Sequence, residues 1–246
     1  MVLKELMVQF ELHDVAAIRA SFAAGIDPNS SYEGKPLLEW LIGEYTRSSN
    51  FKHCILAFKD FGLEMQDLAL IAVLTDDAAS LVAALEADRS LLDRRYNFAT
   101  AYTPLHEASL LHLCAEFNHL ACAKVLVQYG LSVDVTAGFD SFGFGGQTPI
   151  FHTVNQNNNQ SYEVLQFLLS EGADLAVTVK GLVWGKGYPW ETLIPAVNPI
   201  SYAMMGLLPQ MHRSEQTIAE VVQTLLAKQY GIEYPLMNVP NTYLRS

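Results

Sequence analysis

Histidine and cysteine side chains are the metal-binding donors that this sequence groups most densely. One stretch holds His106, His112, Cys114, His119 and Cys122, and these side-chain types bind zinc in many proteins. Their spacing argues against a zinc site, because the stretch has no Cys-x-x-Cys pair and Cys122 falls on an apolar helical stripe. His106-Glu107 does not begin a zinc-protease His-Glu-x-x-His motif, since Leu110 stands where the second histidine is required. We therefore expect no bound metal.

Other catalytic motifs are also missing from the sequence. It has neither a Gly-x-Ser-x-Gly nucleophile motif nor a phosphate-loop lysine pattern. The segment Phe142-Gly143-Phe144-Gly145-Gly146 precedes a predicted helix, which is a suitable place for a phosphate. No Lys-Ser/Thr follows it, so the segment is interpreted as a flexible hairpin tip. The sequence predicts no enzyme activity and no cofactor.

Aromatic residues are concentrated in three loops between predicted pairs of helices. Loops in water rarely hold so much apolar area, and contiguous exposed rings usually mark an interaction site. The alternative is that the loops fold back and pack their rings into small cores. The third loop also holds Lys186 among several glycines and prolines, and it is the best single candidate for partner contact. The predicted partner-binding residues are Tyr96, Phe98, Tyr102, Phe139, Phe142, Phe144, Trp184, Lys186, Tyr188 and Trp190.

The elements that position these loops are predicted from the stretch Thr103 to Asp134. Thr103 and Pro104 are typical of an N-terminal cap and a first helical position, so a short helix is expected from there to about Phe117. A second helix begins after His119, with a stripe at Cys122, Val125, Leu126 and Tyr129. Gly130 ends it. A helix hairpin of about thirty residues cannot bury its own apolar face, so neighbours are required.

Similar openings and endings recur along the chain. Thr148-Pro149-Ile150-Phe151-His152 and Asn198-Pro199-Ile200 repeat the opening, Gly34-Lys35-Pro36-Leu37-Leu38 approximates it, and Gly172-Ala173-Asp174 and Gly25-Ile26-Asp27 repeat the ending. A third unit from about Asp67 keeps only the helix pattern, with Asp76-Asp77 as a cap between its helices. The unit resembles an ankyrin repeat. The openings at Pro104, Pro149 and Pro199 are further apart than the usual ~33 residues, which predicts elongated loops.

This resemblance implies an all-α fold: one ankyrin-repeat solenoid of about six helix-hairpin repeats with elongated inter-repeat fingers. It also implies that His106 is the motif histidine, a hydrogen-bonding staple between adjacent hairpins. A scaffold is expected that binds a partner protein through its concave groove and its aromatic finger loops. The approximate repeats are 1–32, 33–66, 67–100, 101–137, 138–178 and 179–234, followed by a tail over 235–246 laid against the last helix.

Two alternatives remain open from the residues. The formal net charge of -11 would suit a toxin-neutralising or effector-associated protein that covers a basic active site. An enzyme or small-ligand carrier would use a pocket under the 180–198 loop, with His152, Tyr188 and Glu191 as its polar groups. For the scaffold, Trp184→Ala and Trp190→Ala are expected to weaken binding while leaving the melting temperature nearly unchanged.

Composition limits the classes of partner and the compartment. The acidic charge disfavours nucleic acids and anionic membranes and is compatible with a basic protein surface. The N-terminus lacks the long apolar core of a secretory signal, and the run Leu68 to Leu74 is too short to span a membrane. Cys54, Cys114 and Cys122 are expected as buried reduced thiols. These features predict a cytoplasmic, monomeric protein.

Overall fold

The computed structural model describes residues 3–156, 159–205 and 215–233, and within them the chain is mostly helical. The predicted tail over 235–246 lies outside the described residues. The α-helices are α1 (Leu3–Leu12), α2 (Val15–Ala23), α3 (Leu37–Gly43), α4 (Phe51–Asp60), α5 (Leu68–Leu74), α6 (Ala78–Ala87), α7 (Leu110–Phe117), α8 (Leu120–Gln128), α9 (Tyr162–Ser170), α10 (Pro199–Met204) and α11 (Glu215–Tyr230). Short 3-10 helices cover Arg89–Asp93 and Pro149–His152.

Consecutive helices form hairpins that stack on one another. Helix α1 packs on α2 and on α3, whereas α2 packs on α4, so the first two helices contact each other and the equivalent helices of the next hairpin. The pattern returns where α5 packs on α6 and α7, and where α8 packs on α6, α7 and α9. This stacking buries the apolar face that a single hairpin leaves in water.

Buried side chains from all the helices form one continuous apolar core. Phe51 of α4 and Phe117 of α7 illustrate the packing, because their rings are stacked with centroids 3.9 Å apart and planes within 4°. Cys54, Cys114 and Cys122 are buried free thiols in this core, as the sequence predicted.

Three antiparallel strand pairs join successive hairpins, which the all-α prediction did not include. They are β1 (Ser31–Tyr32) with β2 (Lys35–Pro36), β3 (Tyr96–Phe98) with β4 (Leu105–Ala108), and β5 (Val179–Trp184) with β6 (Thr192–Val197). The longest pair runs from Val179 opposite Val197 to Trp184 opposite Thr192. Between α8 and the second 3-10 helix, Phe139 and Gly145 form one further antiparallel bridge. These inter-repeat loops therefore have regular backbone pairing.

Several helix boundaries agree with the sequence signals. Asp67 caps α5 by accepting from the Leu70 amide at 2.9 Å, and Asp77 caps α6 by accepting from the Ser80 amide at 3.0 Å. Gly130 follows α8 with φ of 98°, a conformation that glycine adopts without steric cost. Short-range capping chemistry is sufficient to predict these ends.

The predicted start of α7 at Thr103-Pro104 is wrong. Residues 105–108 are extended in β4, where Leu105 lies opposite Phe98, and the helix begins only at Leu110. Ser109 is the N-terminal cap: its amide donates to Nδ1 of His112 at 3.1 Å, and its hydroxyl lies 2.8 Å from the same nitrogen. A cap-like sequence at Thr103 is overridden because pairing with β3 satisfies the backbone in an extended conformation.

Candidate partner-binding surface

The first predicted aromatic group lies on and after β3, and one of its members is buried. Tyr96 is 9% exposed and its hydroxyl donates to Oδ2 of Asp67 at 3.0 Å. Burial, together with the Asp67 carboxylate, raises the pKa of this phenol, so it stays a neutral donor. Tyr96 is thus a structural residue, which corrects its prediction as a contact residue. Phe98 and Tyr102 are partly exposed.

Trp184 is the second correction. Its side chain is 3% exposed, and its indole N–H donates to the Tyr202 hydroxyl at 2.7 Å. That hydroxyl also lies 2.9 Å from Oγ1 of Thr103, so a buried chain of hydrogen bonds ties β5 to α10 and to the start of the β4 segment. Trp184 therefore fits the alternative prediction, in which the loops pack their rings into small cores. Trp184→Ala is therefore expected to lower the melting temperature, and not to leave it nearly unchanged.

Four predicted rings are well exposed. The exposed fractions are 59% for Phe139, 73% for Phe142, 47% for Tyr188 and 45% for Trp190. Tyr188 and Trp190 stack with centroids 5.5 Å apart, and Trp190 lies 6.2 Å from Tyr102 on the neighbouring loop. Tyr102, Tyr188 and Trp190 therefore pack on each other at the surface, and all four exposed rings keep much of their area in water.

Gly185 is necessary for the placement of Trp190. It has φ of 58°, and a Cβ atom added there would come within 2.4 Å of the Trp190 ring. Its amide also donates to the Ala101 carbonyl at 2.9 Å, which joins the β5–β6 turn to the β3–β4 connection. Only glycine meets both the backbone angle and the close approach.

The loop between α8 and Pro149 is bonded to its neighbours on both sides. The Gly138 amide donates to the His106 carbonyl and the Gly145 amide to the Gly181 carbonyl, each at 2.9 Å. Lys180 donates from Nζ to the Phe142 carbonyl at 2.6 Å and lies 5.0 Å from the Phe144 ring centre. The three loops therefore form one connected layer. We name as the loop surface its exposed and partly exposed members Phe98, Tyr102, Phe139, Phe142, Phe144, Lys186, Tyr188 and Trp190, together with Leu193.

Leu193 was missed from the sequence. It lies on β6 and is 46% exposed, whereas its neighbour Ile194 is buried. Alternation of inward and outward side chains is what a strand imposes. Placing Leu193 beside the inward-facing Ile194 in a strand would have identified it as outward-facing.

Beneath the loop surface lies a cavity of about 310 Å³. It is bounded by the β3–β4 hairpin, the loop before Pro149, and β5 with the turn after it. Its lining residues include the apolar side chains of Phe98, Pro104, Leu105, Phe144 and Val183. The polar side chains that line it are those of Asn97, Thr100, His106, Asp140, Gln147 and Lys186.

Asp140 holds the turn at the edge of this cavity. Its Oδ1 accepts from the amides of Phe142 and Phe144 at 2.9 and 3.0 Å, and Nζ of Lys186 lies 3.9 Å from its Oδ2. Desolvation opposes ionisation, but these hydrogen bonds outweigh it and lower the pKa of the carboxyl. The glycine-rich segment is therefore a turn built around a carboxylate, which is unsuited to a phosphate.

The residues proposed for an enzyme or ligand carrier are not brought together at this cavity. His152 is fully buried against Glu116, whereas Tyr188 and Glu191 are exposed in the β5–β6 turn. Glu191 accepts from the Gly187 amide at 2.7 Å and thereby closes that turn. None of the three lines the cavity.

The histidines and cysteines of the opening stretch are likewise separated. His106 is exposed on β4, whereas Nδ1 of His119 lies 2.6 Å from the Val73 carbonyl and Sγ of Cys122 donates to the Ala72 carbonyl. Within residues 3–156, 159–205 and 215–233, no group of three or more His, Cys, Asp or Glu side chains is arranged to hold a metal ion.

A protein-family model of the ankyrin repeat matches residues 102–138. Residues 102–138 of the chain are therefore an ankyrin repeat. The matched segment contains β4, α7 and α8, so it covers the helix hairpin from which the family was predicted. The resemblance gave His106 the hydrogen bond between adjacent hairpins, but His106 is exposed and His112 makes such a contact in the structure: its Nε2 lies 3.0 Å from the Gln147 carbonyl and so links α7 to the following unit. Burial lowers the pKa of His112 to about 3, so this link uses a neutral imidazole.

Comparison with solved structures gives similarity to the human ASB11 ankyrin repeat domain in its crystal structure. The identity is 14%, the alignment covers 91% of this chain and 97% of that chain, and the TM-score is 0.39. The comparison with curated proteins gives no match. Across the described part of this ankyrin-repeat protein, no helix is long and apolar enough to cross a membrane.

Proposed function

We propose that this ankyrin-repeat protein is a non-catalytic scaffold that binds a partner protein through its concave groove and the loop surface. Ankyrin repeats generally mediate protein–protein interactions, and stacked repeats offer extended concave surfaces for them. The groove is proposed because stacked repeats form concave surfaces. The loop surface is proposed because of the contacts that the residues of this chain make.

The proposed unit is a single domain of six repeats with the boundaries predicted from the sequence. Each proposed repeat contains one pair of helices, counting the 3-10 helix Pro149–His152 as the first member of the fifth pair. Stability then sums over the repeats and the interfaces between neighbours. A rigid stack of this kind presents its loops in fixed relative positions.

The observation that carries the proposal is the exposure of four large rings in loops that are hydrogen-bonded to one another. Phe139, Phe142, Tyr188 and Trp190 remain exposed although the same loops bury Tyr96 and Trp184. Contiguous apolar area of this kind marks interaction sites, and Trp and Tyr dominate binding energies there. Because the loops are already fixed by hydrogen bonds, less conformational entropy is lost on binding.

A basic partner surface is the complement of the acidic chain. The net charge of -11 would accelerate encounter with a cationic protein, and salt would slow that encounter by screening. We therefore propose that the association rate falls as ionic strength rises. A dissociation rate that changes little with salt would accord with a contact dominated by the apolar rings.

Affinity capture from native lysate followed by mass spectrometry tests the proposed function. The bait is the full chain as wild type, as the double variant Tyr188→Ala/Trp190→Ala, and as Tyr230→Ala, which removes an exposed aromatic on α11 away from the loops. A partner held by wild type and Tyr230→Ala but depleted by the double variant is expected. Equal capture by all three baits would contradict a role for the loop surface.

A further inference from the structure

The first helix hairpin presents an apolar face at the end of the stack. Helix α1 packs on α3 and α2 packs on α4, so the opposite sides of these two helices face away from the stack. Val8 and Leu12, one turn apart on α1, are 52% and 67% exposed there. The hydroxyl of Ser21 donates to Oε1 of Gln9 at 2.7 Å, which joins the two helices side by side.

Small apolar residues continue this face on α2. Ala16, Ala20 and Ala23 follow one another at one-turn spacing and are all exposed. We name as the end surface Val8, Leu12, Ala16, Ala20 and Ala23, and it shares no residue with the loop surface. A terminal repeat needs a polar outer face for solubility, so an apolar one indicates that another molecule covers it.

The shape of the end surface suits a helix. Val8 and Leu12 form a ridge on α1, whereas the alanines on α2 leave room for a neighbouring backbone to approach closely. The opposite sides of the same two helices already pack on helices, namely α3 and α4. A partner helix with apolar residues one turn apart would repeat that packing outward.

The charges at the border of the end surface select the partner. Glu5 and Glu11 occupy helical positions on either side of Val8 and Leu12, and the exposed Asp14 lies between α1 and α2. Lys4 also borders the surface, whereas Arg19 is ion-paired to α4 at 2.5 Å. The border therefore keeps an excess of negative charge, which attracts a cationic partner.

The same charges oppose self-association. In a symmetric dimer the end surface of one copy would contact the end surface of the other. The carboxylates of Glu5, Glu11 and Asp14 would then lie close to their own equivalents, and like charges across an interface are unfavourable. A basic helix of another protein fits both the apolar face and its acidic border.

We propose that the end surface binds an amphipathic helix of a partner protein, with its apolar side on Val8, Leu12 and the alanines and its lysine or arginine side chains beside Glu5, Glu11 and Asp14. This inference goes beyond the proposed function, because it gives the scaffold a second binding surface that is independent of the loops.

Two synthetic helical peptides provide the test. Each has about 18 residues and a side-chain bridge that holds the helix, because short isolated helices are marginal in water. Both have leucine and alanine on one face, bordered by lysines in the first peptide and by glutamates in the second. The ¹⁵N-labelled full chain is titrated with each peptide and followed by amide chemical shifts.

The lysine peptide is expected to give saturable shifts at the amides of α1 and α2, and the glutamate peptide is expected to give none. Absence of saturable shifts with the lysine peptide, shifts confined to other helices, or equal binding of both peptides would overturn the proposal.

Matched variants locate the contact. Leu12→Ser should weaken binding of the lysine peptide roughly tenfold, because one apolar anchor is lost. Leu68→Ser is its control, since Leu68 on α5 is 64% exposed, and this variant should bind as wild type does. Equal affinities of the two serine variants would contradict the assignment.

A second pair of variants tests the close approach of the helix. Ala20→Gln places a long side chain on the end surface and should also weaken binding, whereas Ala83→Gln, at an exposed position on α6, should not. Unchanged amide spectra of α7 and α8 verify that all four variants are folded. Binding that tolerates Ala20→Gln would contradict packing on α2.

Sedimentation velocity tests the rival occupant, a second copy of the chain. Wild type and Leu12→Ser are both expected to be monomers. A wild-type dimer that Leu12→Ser dissociates would show that a second copy covers the end surface, and the proposal would be overturned.

The inference and the proposed function fail separately. Tyr188→Ala/Trp190→Ala should bind the lysine peptide as wild type does, and loss of peptide binding in this variant would place the peptide on the loops and overturn the inference. If the peptide binds α1 and α2 as expected while no loop variant alters partner capture, the proposed function is wrong and the inference stands.

Discussion

Arg47 and Glu116 form an ion pair of 2.7 Å in the interior, with both side chains only 6% exposed. Arg47 precedes α4, Glu116 lies on α7, and the contact crosses the intervening α5–α6 hairpin along the chain. The other oxygen of Glu116 lies 2.7 Å from Nδ1 of His152, so one carboxylate connects three separate parts of the stack. Burial opposes the charge of Glu116, but Arg47 and His152 outweigh it and lower its pKa to about 2.

Glu116→Gln should strongly destabilise the protein. The substitution leaves the Arg47 guanidinium buried without its counter-charge, and removing one partner of a buried pair costs about 3–5 kcal/mol. The free energy of unfolding from urea titration is the measurement. Glu86→Gln, on the exposed face of α6, is the matched control and should change stability by less than about 0.5 kcal/mol. A loss below about 1 kcal/mol for Glu116→Gln would contradict a structural role for the pair.

Trp184→Ala should also destabilise, in contrast to the expectation from sequence alone. It removes a buried indole and leaves the Tyr202 hydroxyl without its donor, and truncation of such a residue costs about 3–5 kcal/mol. Trp184→Phe should cost less, because it keeps most of the ring volume. Trp190→Ala is the control at the exposed position, with an expected change of under about 1 kcal/mol. Thermal unfolding of the three variants is the check, and equal melting temperatures would refute the buried position of Trp184.

The two candidate motif histidines should differ sharply. His112→Gln breaks the cap at Ser109 and the link to the Gln147 carbonyl, and leaves buried groups unpaired at a cost of about 2–4 kcal/mol. His106→Gln alters an exposed strand residue and should be neutral within about 0.5 kcal/mol. Urea titration of both variants measures the difference. The reverse order would contradict the structural role given to the His112 side chain.

Stability should fall as the pH is lowered from about 7 to about 4. Burial lowers the pKa of His13 and His119 to about 4 and that of His112 to about 3. Between these values and the unfolded value near 6.5, the unfolded chain binds more protons, so protonation favours unfolding. Each histidine contributes at most about 1.4 kcal/mol per pH unit. The depressed pKa of Glu116 extends the loss below about pH 4.5.

Urea titrations at pH 7, 6 and 5 measure this dependence. His119→Gln should reduce the slope, whereas His53→Gln, at an exposed position on α4, should leave it unchanged. A free energy of unfolding that is constant over this range would show that the buried histidines are not held neutral in the folded state.

Signals within a few residues of one another were sufficient for much of the fold. The cap at Asp77 and the helix end at Gly130 depend on local backbone chemistry, so the sequence predicted them correctly. The start of α7 was misplaced because Thr103-Pro104 has the local chemistry of a cap, while the pairing of β4 with β3 decides the conformation.

The candidate site was predictable only in part, because exposure depends on distant contacts. Tyr96 is buried and hydrogen-bonded to Asp67, and Trp184 is buried and hydrogen-bonded to Tyr202. Neither Asp67 nor Tyr202 is close in sequence to the aromatic residue that it contacts. A pocket under the 180–198 loop was an alternative from the sequence, but most residues that line the cavity were not predicted, since three separate loops form it. The concentration of aromatic residues in the sequence pointed to these three loops. The structure shows which of those residues are buried, Tyr96 and Trp184, and which are exposed.

The dissociation constant of the captured partner, measured by calorimetry against wild type, Tyr188→Ala/Trp190→Ala and Tyr230→Ala, tests the central claim most directly. Loss of two hot-spot rings should weaken binding by about 2 kcal/mol or more, which is roughly thirtyfold, while Tyr230→Ala binds as wild type does. Circular dichroism of the double variant should match wild type. Unchanged affinity in a folded double variant would contradict partner binding through the loop surface.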